Sequence, residues 1–174
     1  MKNIYLTGMM GSGKSAVARV LAKKLNRPCM DLDNEMVHET SSTIPDIFRK
    51  KGEAYFRQLE SGILQSLKAD GLIIATGGGS VVSPENRVFM KQTGIVIYLE
   101  DDAETLWKRI GKDKNRPLLS SPDPKKVLCD LLESRRSFYE EADYRVHGGE
   151  KNPEQVAEEL LKTIQFDQIL NEKN

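Results

Sequence analysis

The apolar positions of this chain alternate between short continuous runs and stretches with helical spacing. The continuous runs predict strands at residues 3–7, 29–31, 72–75, 95–99 and 144–146. The helical spacing predicts helices at residues 14–25, 34–39, 44–50, 52–67, 84–92, 103–110, 125–139 and 153–169. Strands that alternate with helices predict an α/β fold, with a parallel sheet covered on both faces.

Length and composition restrict the class of protein. A chain of 174 residues predicts one domain over residues 1–174. Lysine plus arginine and aspartate plus glutamate both number 26, so no basic excess favours nucleic acid as a partner. No apolar run approaches the ~20 residues of a membrane span. We expect no signal peptide, because the first predicted strand begins at residue 3. Cys29 and Cys129 are isolated, and we expect them to be buried or half-buried in a protein of the reducing cytoplasm.

The first predicted strand leads directly into a phosphate-binding motif. Residues 8–15 read Gly-Met-Met-Gly-Ser-Gly-Lys-Ser, which fits G-x-x-x-x-G-K-[ST] between a strand and a helix. In such a P-loop the backbone N–H groups and the helix N-terminus surround phosphate oxygens. Lys14 is then expected to reach the β- and γ-phosphates, and Ser15 to bind Mg²⁺. The motif predicts a nucleoside triphosphate as ligand.

Two further strand ends carry candidate chemistry, because ligands of α/β sheets bind beyond the carboxyl ends of the strands. The second strand ends in Asp31-Leu32-Asp33, whose carboxylates share one face if the segment is extended. One could hold Mg²⁺ through its water shell and the other could bind a substrate hydroxyl, although Asp33 would also suit a helix N-cap. The third strand is followed by three consecutive glycines, Gly77, Gly78 and Gly79, which would let a ligand reach the main chain.

A long irregular stretch spans residues 111–124. It exceeds a normal connection and is interpreted as a lid over the active site, with a disordered surface loop as the alternative. Arg116 lies in this stretch, Arg57 lies on a predicted helix with Glu60 three residues later, and Arg135 and Arg136 follow the lid. Arginine presents a fork that matches carboxylate or phosphate oxygens, but each of these residues alone could be a surface charge.

Several of these segments together carry a family resemblance. They are residues 8–15, Asp31-Leu32-Asp33, Ile44-Pro45-Asp46-Ile47-Phe48, Gly52-Glu53, Phe56-Arg57-x-x-Glu60, Thr76-Gly77-Gly78-Gly79, Arg116-Pro117-Leu118-Leu119 and Arg135-x-x-x-Tyr139. In this order and spacing the chain resembles the shikimate kinase family from residue 3 to about residue 153. The resemblance implies a five-stranded parallel sheet of order 2-3-1-4-5 with a mobile lid, acting as a monomer.

The resemblance also implies roles for the acceptor side of the reaction. Shikimate would receive a phosphoryl group from ATP on its 3-hydroxyl, which Asp33 would contact. Arg57 and Arg135 would bind the shikimate carboxylate, and residues 77–79 would contact the ring hydroxyls. Arg136 remains a rival of Arg135, because the segment between Tyr139 and Asp143 is shorter here than is usual in the family.

On the donor side, the P-loop and the resemblance together imply a larger set of ATP contacts. These residues are Gly11, Ser12, Gly13, Lys14, Ser15, Ala16, Arg109, Arg116, Asn152 and Pro153. Arg109 and the Asn152-Pro153 turn match the adenine-stacking positions, and Arg116 would meet the phosphoryl group in transfer. Lys14 and Arg116 would act in catalysis with Asp33, while Ser15 and Asp31 would hold Mg²⁺.

Two other functions remain open on the sequence. One is a different small-molecule kinase of the same architecture, such as a gluconate kinase, which also needs a site for an anionic polyol. The other is a nucleotide-binding module of the same family that has lost activity. Loss of activity should appear as substitution at the positions that the chemistry needs, and Lys14, Asp33, Arg57 and Arg116 are all suitably occupied.

Overall fold

The computed structural model describes residues 1–113 and 116–171, with side chains described as far as residue 163. Its five strands are β1 (Asn3–Thr7), β2 (Cys29–Asp31), β3 (Ile73–Ala75), β4 (Gly94–Glu100) and β5 (Tyr144–His147). Its helices are α1 (Lys14–Leu25), α2 (Leu32–Thr40), α3 (Ile44–Gln65), α4 (Pro84–Thr93), α5 (Ala103–Ile110), α6 (Pro124–Tyr139) and α7 (Pro153–Asn171). Short 3₁₀ turns at Ser80–Val82 and Pro117–Leu119 complete the described elements.

The strands form one parallel sheet in the order β2-β3-β1-β4-β5, which confirms the expected topology. The register places Ile4 of β1 beside Ile73 of β3 and Ile95 of β4. The central strand β1 is buried at all five positions, as its apolar sequence predicts for a strand covered on both faces.

Alternate residues of the strands build two separate cores. Tyr5 and Ile74 point to the side on which residues of α2 to α6 pack. Ile4 and Leu6 point to the opposite side, where they pack against α1 and α7. This alternation follows from the two-residue period of a strand. Because all the strands are parallel, their carboxyl ends lie along one edge of the sheet.

Helix α3 shows one informative difference from the sequence pattern. The pattern predicts two helices separated near residue 51, whereas the structure has a single element, Ile44–Gln65, with a kink. Gly52 lies at the kink with φ 80° and ψ 172°, values that are accessible mainly to glycine. Thr43 caps the start of the element by accepting a hydrogen bond from the Asp46 N–H.

Two expectations about individual residues need correction. Cys29 is exposed rather than buried, because β2 is at the edge of the sheet; Cys129 is half-buried as expected. Asp33 does not continue the extended strand but lies in the first turn of α2, and Asp31 rather than Asp33 is the N-cap. In the described part of the chain, no helix is long and apolar enough to cross a membrane.

Candidate active site

The P-loop connects β1 to α1 at the centre of the sheet edge. The ammonium group of Lys14 turns back into this loop and donates hydrogen bonds to the carbonyl oxygens of Gly8 and Met9, both at 2.9 Å. Burial lowers the pKa of Lys14 to about 8, and the nearby carboxylate of Asp33 partly opposes that shift. The structure therefore places a buried cation inside a ring of main-chain groups, as the motif predicts.

Asp31 and Asp33 flank the junction of β2 and α2. The Asp31 Oδ1 atom accepts hydrogen bonds from the N–H groups of Asp33 at 3.0 Å and of Asn34 at 3.4 Å. Burial raises the pKa of Asp33, and the charge of Asp31 raises it further, while Lys14 and Arg116 lower it. Asp33 is thus a half-buried carboxyl group within electrostatic range of the P-loop lysine.

A cavity of about 130 Å³ opens beside these residues at the carboxyl ends of β2 and β3. Its lining includes both charged and apolar side chains. Its lining residues are Met10, Asp33, Ile44, Phe48, Phe56, Arg57, Glu60, Gly77, Gly78, Gly79, Arg116, Pro117, Leu118 and Arg135. The cavity therefore brings together all of the residues that the sequence assigned to the acceptor.

Arg57 is held at the cavity by two glutamates of its own helix. It donates from Nη1 to Glu60 Oε2 at 2.9 Å and from Nη2 to Glu53 Oε1 at 3.2 Å. Glu60 is only 1% exposed, and its other oxygen accepts a hydrogen bond from Ser80 Oγ at 2.7 Å. Because the buried Glu60 carboxylate accepts a hydrogen bond on each of its oxygens, it gives the Arg57 guanidinium a fixed orientation.

The three consecutive glycines are explained by what lies against them. A β-carbon at Gly77 would overlap with Glu60 Oε1, and one at Gly79 would overlap with the Arg57 guanidinium. At Gly78 it would lie 3.2 Å from the Met10 N–H nitrogen of the P-loop. The glycines thus allow the main chain after β3 to approach both the arginine–glutamate pair and the P-loop.

Arg135 reaches the same cavity from α6. The residue is 5% exposed, and its guanidinium donates to the Gly78 carbonyl oxygen at 3.3 Å. The Tyr139 hydroxyl donates to that same carbonyl, and its ring stacks on Tyr98 with centroids 5.0 Å apart. Arg136 points elsewhere: it pairs with Glu133 at 2.9 Å on the surface. Of the two rival arginines, the structure brings Arg135 to the cavity.

Part of the segment predicted as a lid borders the cavity. Pro117 and Leu118 line the cavity, and Leu119 is buried in the core on that side of the sheet. Arg116 donates to Asp113 Oδ2 at 2.8 Å, and its charge lowers the pKa of both Lys14 and Asp33. Residues 114 and 115 of the expected lid lie outside the described residues.

A second recess, of about 210 Å³, continues from Ser12 and Gly13 of the P-loop. It is lined by Ser12, Gly13, Val17, Arg109, Gly148, Lys151, Pro153 and Val156. Asn152 lies beside this recess and caps α7, since its Oδ1 accepts the Gln155 N–H at 2.9 Å. The residues expected to contact adenine are therefore near the P-loop, although the side-chain oxygen of Asn152 already accepts the hydrogen bond that caps α7.

The first turns of α1 supply the remaining donor-side positions. Ser15 and Ala16 are half-buried there, directly after Lys14, while Gly11 lies in the loop before it. Serine and aspartate oxygens suit Mg²⁺, which commonly keeps water and phosphate oxygens as its other ligands. Among residues 1–113 and 116–171, no group of three or more His, Cys, Asp or Glu could hold a metal by itself. Ser15 and Asp31 carry oxygen atoms of this kind, and Asp31 lies within electrostatic range of Lys14 in the P-loop.

Three supporting residues were not expected from the sequence. Ser80 donates a hydrogen bond to Glu60, and Tyr139 donates one to the Gly78 carbonyl. Asp101 forms an ion pair with Arg109 at 2.8 Å. Asp101 does have a weak signal, because it directly follows the carboxyl end of β4. Tyr139 belongs to the motif Arg135-x-x-x-Tyr139, but the motif does not indicate its partner Gly78. Ser80 has no such signal, since Glu60 is distant in the chain.

A P-loop on the central strand, the strand order 2-3-1-4-5 and a polar cavity next to the phosphate loop define the class of P-loop kinases. The family model for shikimate kinase matches residues 10–165. A shikimate kinase of a Sulfurihydrogenibium species is 41% identical over 165 residues, covering 94% of this chain and 98% of the relative.

Solved structures separate this family from other kinases of the class. The shikimate kinase of Acinetobacter baumannii in complex with shikimate aligns with a TM-score of 0.93 and 41% identity, over 96% of this chain and 94% of that one. A gluconokinase of Sinorhizobium meliloti aligns with a TM-score of only 0.58 and 16% identity, over 95% and 97%, which is a likeness of fold alone. The chain belongs to the shikimate kinase family.

Proposed function

We propose that this protein transfers the γ-phosphoryl group of ATP to the 3-hydroxyl of shikimate, giving 3-phosphoshikimate and ADP. The observation that carries the proposal is the cavity beside the P-loop, where Arg57 and Arg135 converge with the carboxylate of Asp33. Two cations suit the carboxylate of a small acid, and one anion suits the hydroxyl that reacts. With the two arginines at its carboxylate and Asp33 at its reacting hydroxyl, shikimate would bind in one orientation.

On the acceptor side, Arg57 and Arg135 hold the shikimate carboxylate in this proposal. Glu60 keeps Arg57 in position, and the Gly78 carbonyl does so for Arg135. The backbone of residues 77–79 meets the ring hydroxyls, because the absent side chains leave room for close contact. Fixing the acid far from the reacting oxygen supports catalysis by orientation, which can contribute several kcal/mol.

Asp33 then orients the 3-hydroxyl and takes its proton late in the transfer. Its raised pKa makes it a better proton acceptor than an ordinary exposed aspartate. A loose phosphoryl-transfer transition state does not demand a strong base, because little negative charge is needed on the attacking oxygen. Positioning of the hydroxyl is therefore the larger part of the Asp33 role.

On the donor side, Lys14 and Arg116 offset the negative charge that spreads over the transferring phosphoryl oxygens. The P-loop residues 11–16 bind the phosphates of ATP, and Arg109 with Asn152 and Pro153 borders the adenine. Mg²⁺ would be held by Ser15 and, through water, by Asp31, and when bound it neutralises phosphate charge.

The chain would use residues 31–62 for substrate binding and residues 111–124 as a lid. It would act in the cytoplasm as a single-domain monomer.

The test is an ADP-release assay with Mg²⁺ and ATP, run with shikimate, its methyl ester and gluconate as acceptors. We expect turnover with shikimate, a phosphate on the 3-oxygen by phosphorus NMR, and little turnover with the ester, which lacks the anion for Arg57 and Arg135. Equal turnover with the ester would contradict the arginine clamp. Preference for gluconate, or binding of ATP without any transfer to shikimate, would overturn the proposed function.

A further inference from the structure

One buried carboxylate on the donor side has no part in the function proposed above. Asp101 follows β4, is 3% exposed and lies under the loop between β5 and α7. Its Oδ2 accepts a hydrogen bond from Arg109 Nη1 at 2.8 Å, and its Oδ1 accepts one from the Gly149 N–H at 2.6 Å. A carboxylate removed from water in this way needs such partners, because an unpaired buried charge is costly.

Arg109 extends this pairing to the phosphate loop. Its guanidinium also donates to the carbonyl oxygens of Gly11, at 3.1 Å, and of Gly149. One guanidinium therefore joins three segments that are distant in sequence: the end of β4, the P-loop and the loop before α7. The planar fork of arginine allows several such bonds at once.

The loop before α7 passes directly over the Asp101 carboxylate. A β-carbon at Gly148 would lie 2.7 Å from Asp101 Oδ2, so the chain has no spare room at this point. Gly148 and Arg109 are also two walls of the recess that continues from Ser12 and Gly13 of the P-loop. The shape of the recess thus depends on a carboxylate that does not itself line it.

We propose that Asp101 is a positioning residue for the nucleoside part of the phosphate donor. It acts through Arg109 and the backbone at residues 148–149, which form the recess in which a base and ribose would lie next to the P-loop. The inference rests on the proposed function only in requiring that the P-loop binds a nucleotide. Asp101 does not touch the reacting groups, so its loss should change nucleotide affinity rather than the chemical step.

Asp101→Asn tests this with almost no change of shape. Its amide NH₂ group cannot accept a hydrogen bond, so either the Arg109 or the Gly149 bond is lost together with the charge. Asp102→Asn is the matched control, since Asp102 is the exposed N-cap of α5 and asparagine is an equally good cap. Both variants are titrated by calorimetry with ADP, which reaches the recess, and with inorganic tripolyphosphate, which occupies only the P-loop.

For Asp101→Asn we expect ADP affinity to fall by roughly threefold to thirtyfold and tripolyphosphate affinity to change less than about threefold. In turnover, KM for ATP should rise while KM for shikimate stays within about twofold, and Asp102→Asn should match the wild type. Unchanged ADP affinity in a folded variant would overturn the inference. So would equal losses for ADP and tripolyphosphate, which would mean that Asp101 acts on the phosphate loop.

Gly148→Ala provides a second route if Asp101→Asn does not fold. The added methyl group would displace the loop or the carboxylate beneath it, and it leaves every charge in place. The same selective loss of ADP affinity is expected, and its absence would contradict the proposal. Both calorimetric readouts are independent of shikimate, so they separate this inference from a failure of the proposed reaction.

Discussion

The two sides of the candidate active site are built in different ways. The donor side starts from one contiguous segment, residues 8–15, in which main-chain groups and Lys14 form the phosphate site. The acceptor side is assembled from α2, α3, the loop after β3 and α6, and its arginines are held by further buried groups. The phosphate site of the donor side is therefore local in sequence, whereas the acceptor site exists only once the whole sheet edge has formed.

This difference predicts that the two sides can be damaged independently. A change in the acceptor cavity should leave nucleotide affinity intact, because Lys14 and the P-loop do not depend on it for their own hydrogen bonds. A change in the phosphate loop should affect every anionic ligand that binds there. The following experiments measure nucleotide binding and acceptor kinetics separately for that reason.

The largest effect is expected for Asp33→Asn. The amide keeps the size of the side chain but cannot take the hydroxyl proton, so kcat should fall by about 10²- to 10⁴-fold. ADP affinity, measured by calorimetry, should stay within about twofold if the two sides are independent. Glu39→Gln on the exposed face of the same helix is the control and should behave as the wild type. A large loss of ADP affinity in Asp33→Asn would show that the sides are coupled through Lys14.

The next effect is expected for Arg57→Ala. Loss of a charged hydrogen-bond donor also leaves Glu60 buried with fewer partners, so KM for shikimate should rise by about 10- to 100-fold. KM for ATP should change little. Arg49→Ala, in the same helix but 73% exposed at its side chain, is the matched control. An unchanged KM for shikimate would mean that Arg57 is not part of the carboxylate clamp.

A third, smaller effect concerns pH and the donor side alone. Without nucleotide, Lys14 has a pKa of about 8, lowered chiefly by burial, so it is protonated below pH 8 and neutral above it. Phosphates prefer the protonated form, so ADP affinity should be full at pH 7 and about tenfold weaker at pH 9. Lys14→Arg is the control, because arginine stays protonated over this range. Wild-type affinity that is flat from pH 7 to 9.5 would contradict the lowered pKa.

The contrast between the sides also explains what the sequence could predict. The strands and the P-loop depend on local patterns, and the structure confirms both the sheet order and the strand–loop–helix placement of residues 8–15. The sequence predicted the correct edge of the sheet for Asp33 but an extended conformation, whereas Asp33 lies in the first turn of α2. The two-residue period of a strand cannot show where the following helix begins.

The supporting residues could not be predicted because their partners are far away in the chain. Tyr139 meets Gly78 across 61 positions, and Asp101 meets Gly149 across 48. No periodicity relates such pairs, and they become visible only when parallel strands bring their carboxyl ends together. The glycines are an intermediate case: three in succession indicated a close approach, but not that Glu60 and Arg57 were the groups approached.

Gly79→Ala offers the finest test of that close approach. Its β-carbon would overlap with the Arg57 guanidinium, which is the far end of a flexible side chain and can move aside. The fold should therefore survive with little change in Tm, while KM for shikimate rises by roughly threefold to tenfold as Arg57 leaves its orientation. Gly62→Ala is a matched control on α3, since a β-carbon there meets nothing within 4 Å and should slightly stabilise the helix.

The methyl group of Gly79→Ala would meet Arg57, whereas that of Gly62→Ala would meet no side chain within 4 Å. If Gly79→Ala lowers Tm strongly with no change in KM, the glycine is needed for the path of the chain and not for Arg57. If KM rises but ADP affinity falls as well, the loop after β3 is transmitting the change to the P-loop through Gly78 and Met10. If KM for shikimate rises while Tm and ADP affinity stay unchanged, the result supports the inference that close contact with the Gly79 backbone orients the Arg57 guanidinium.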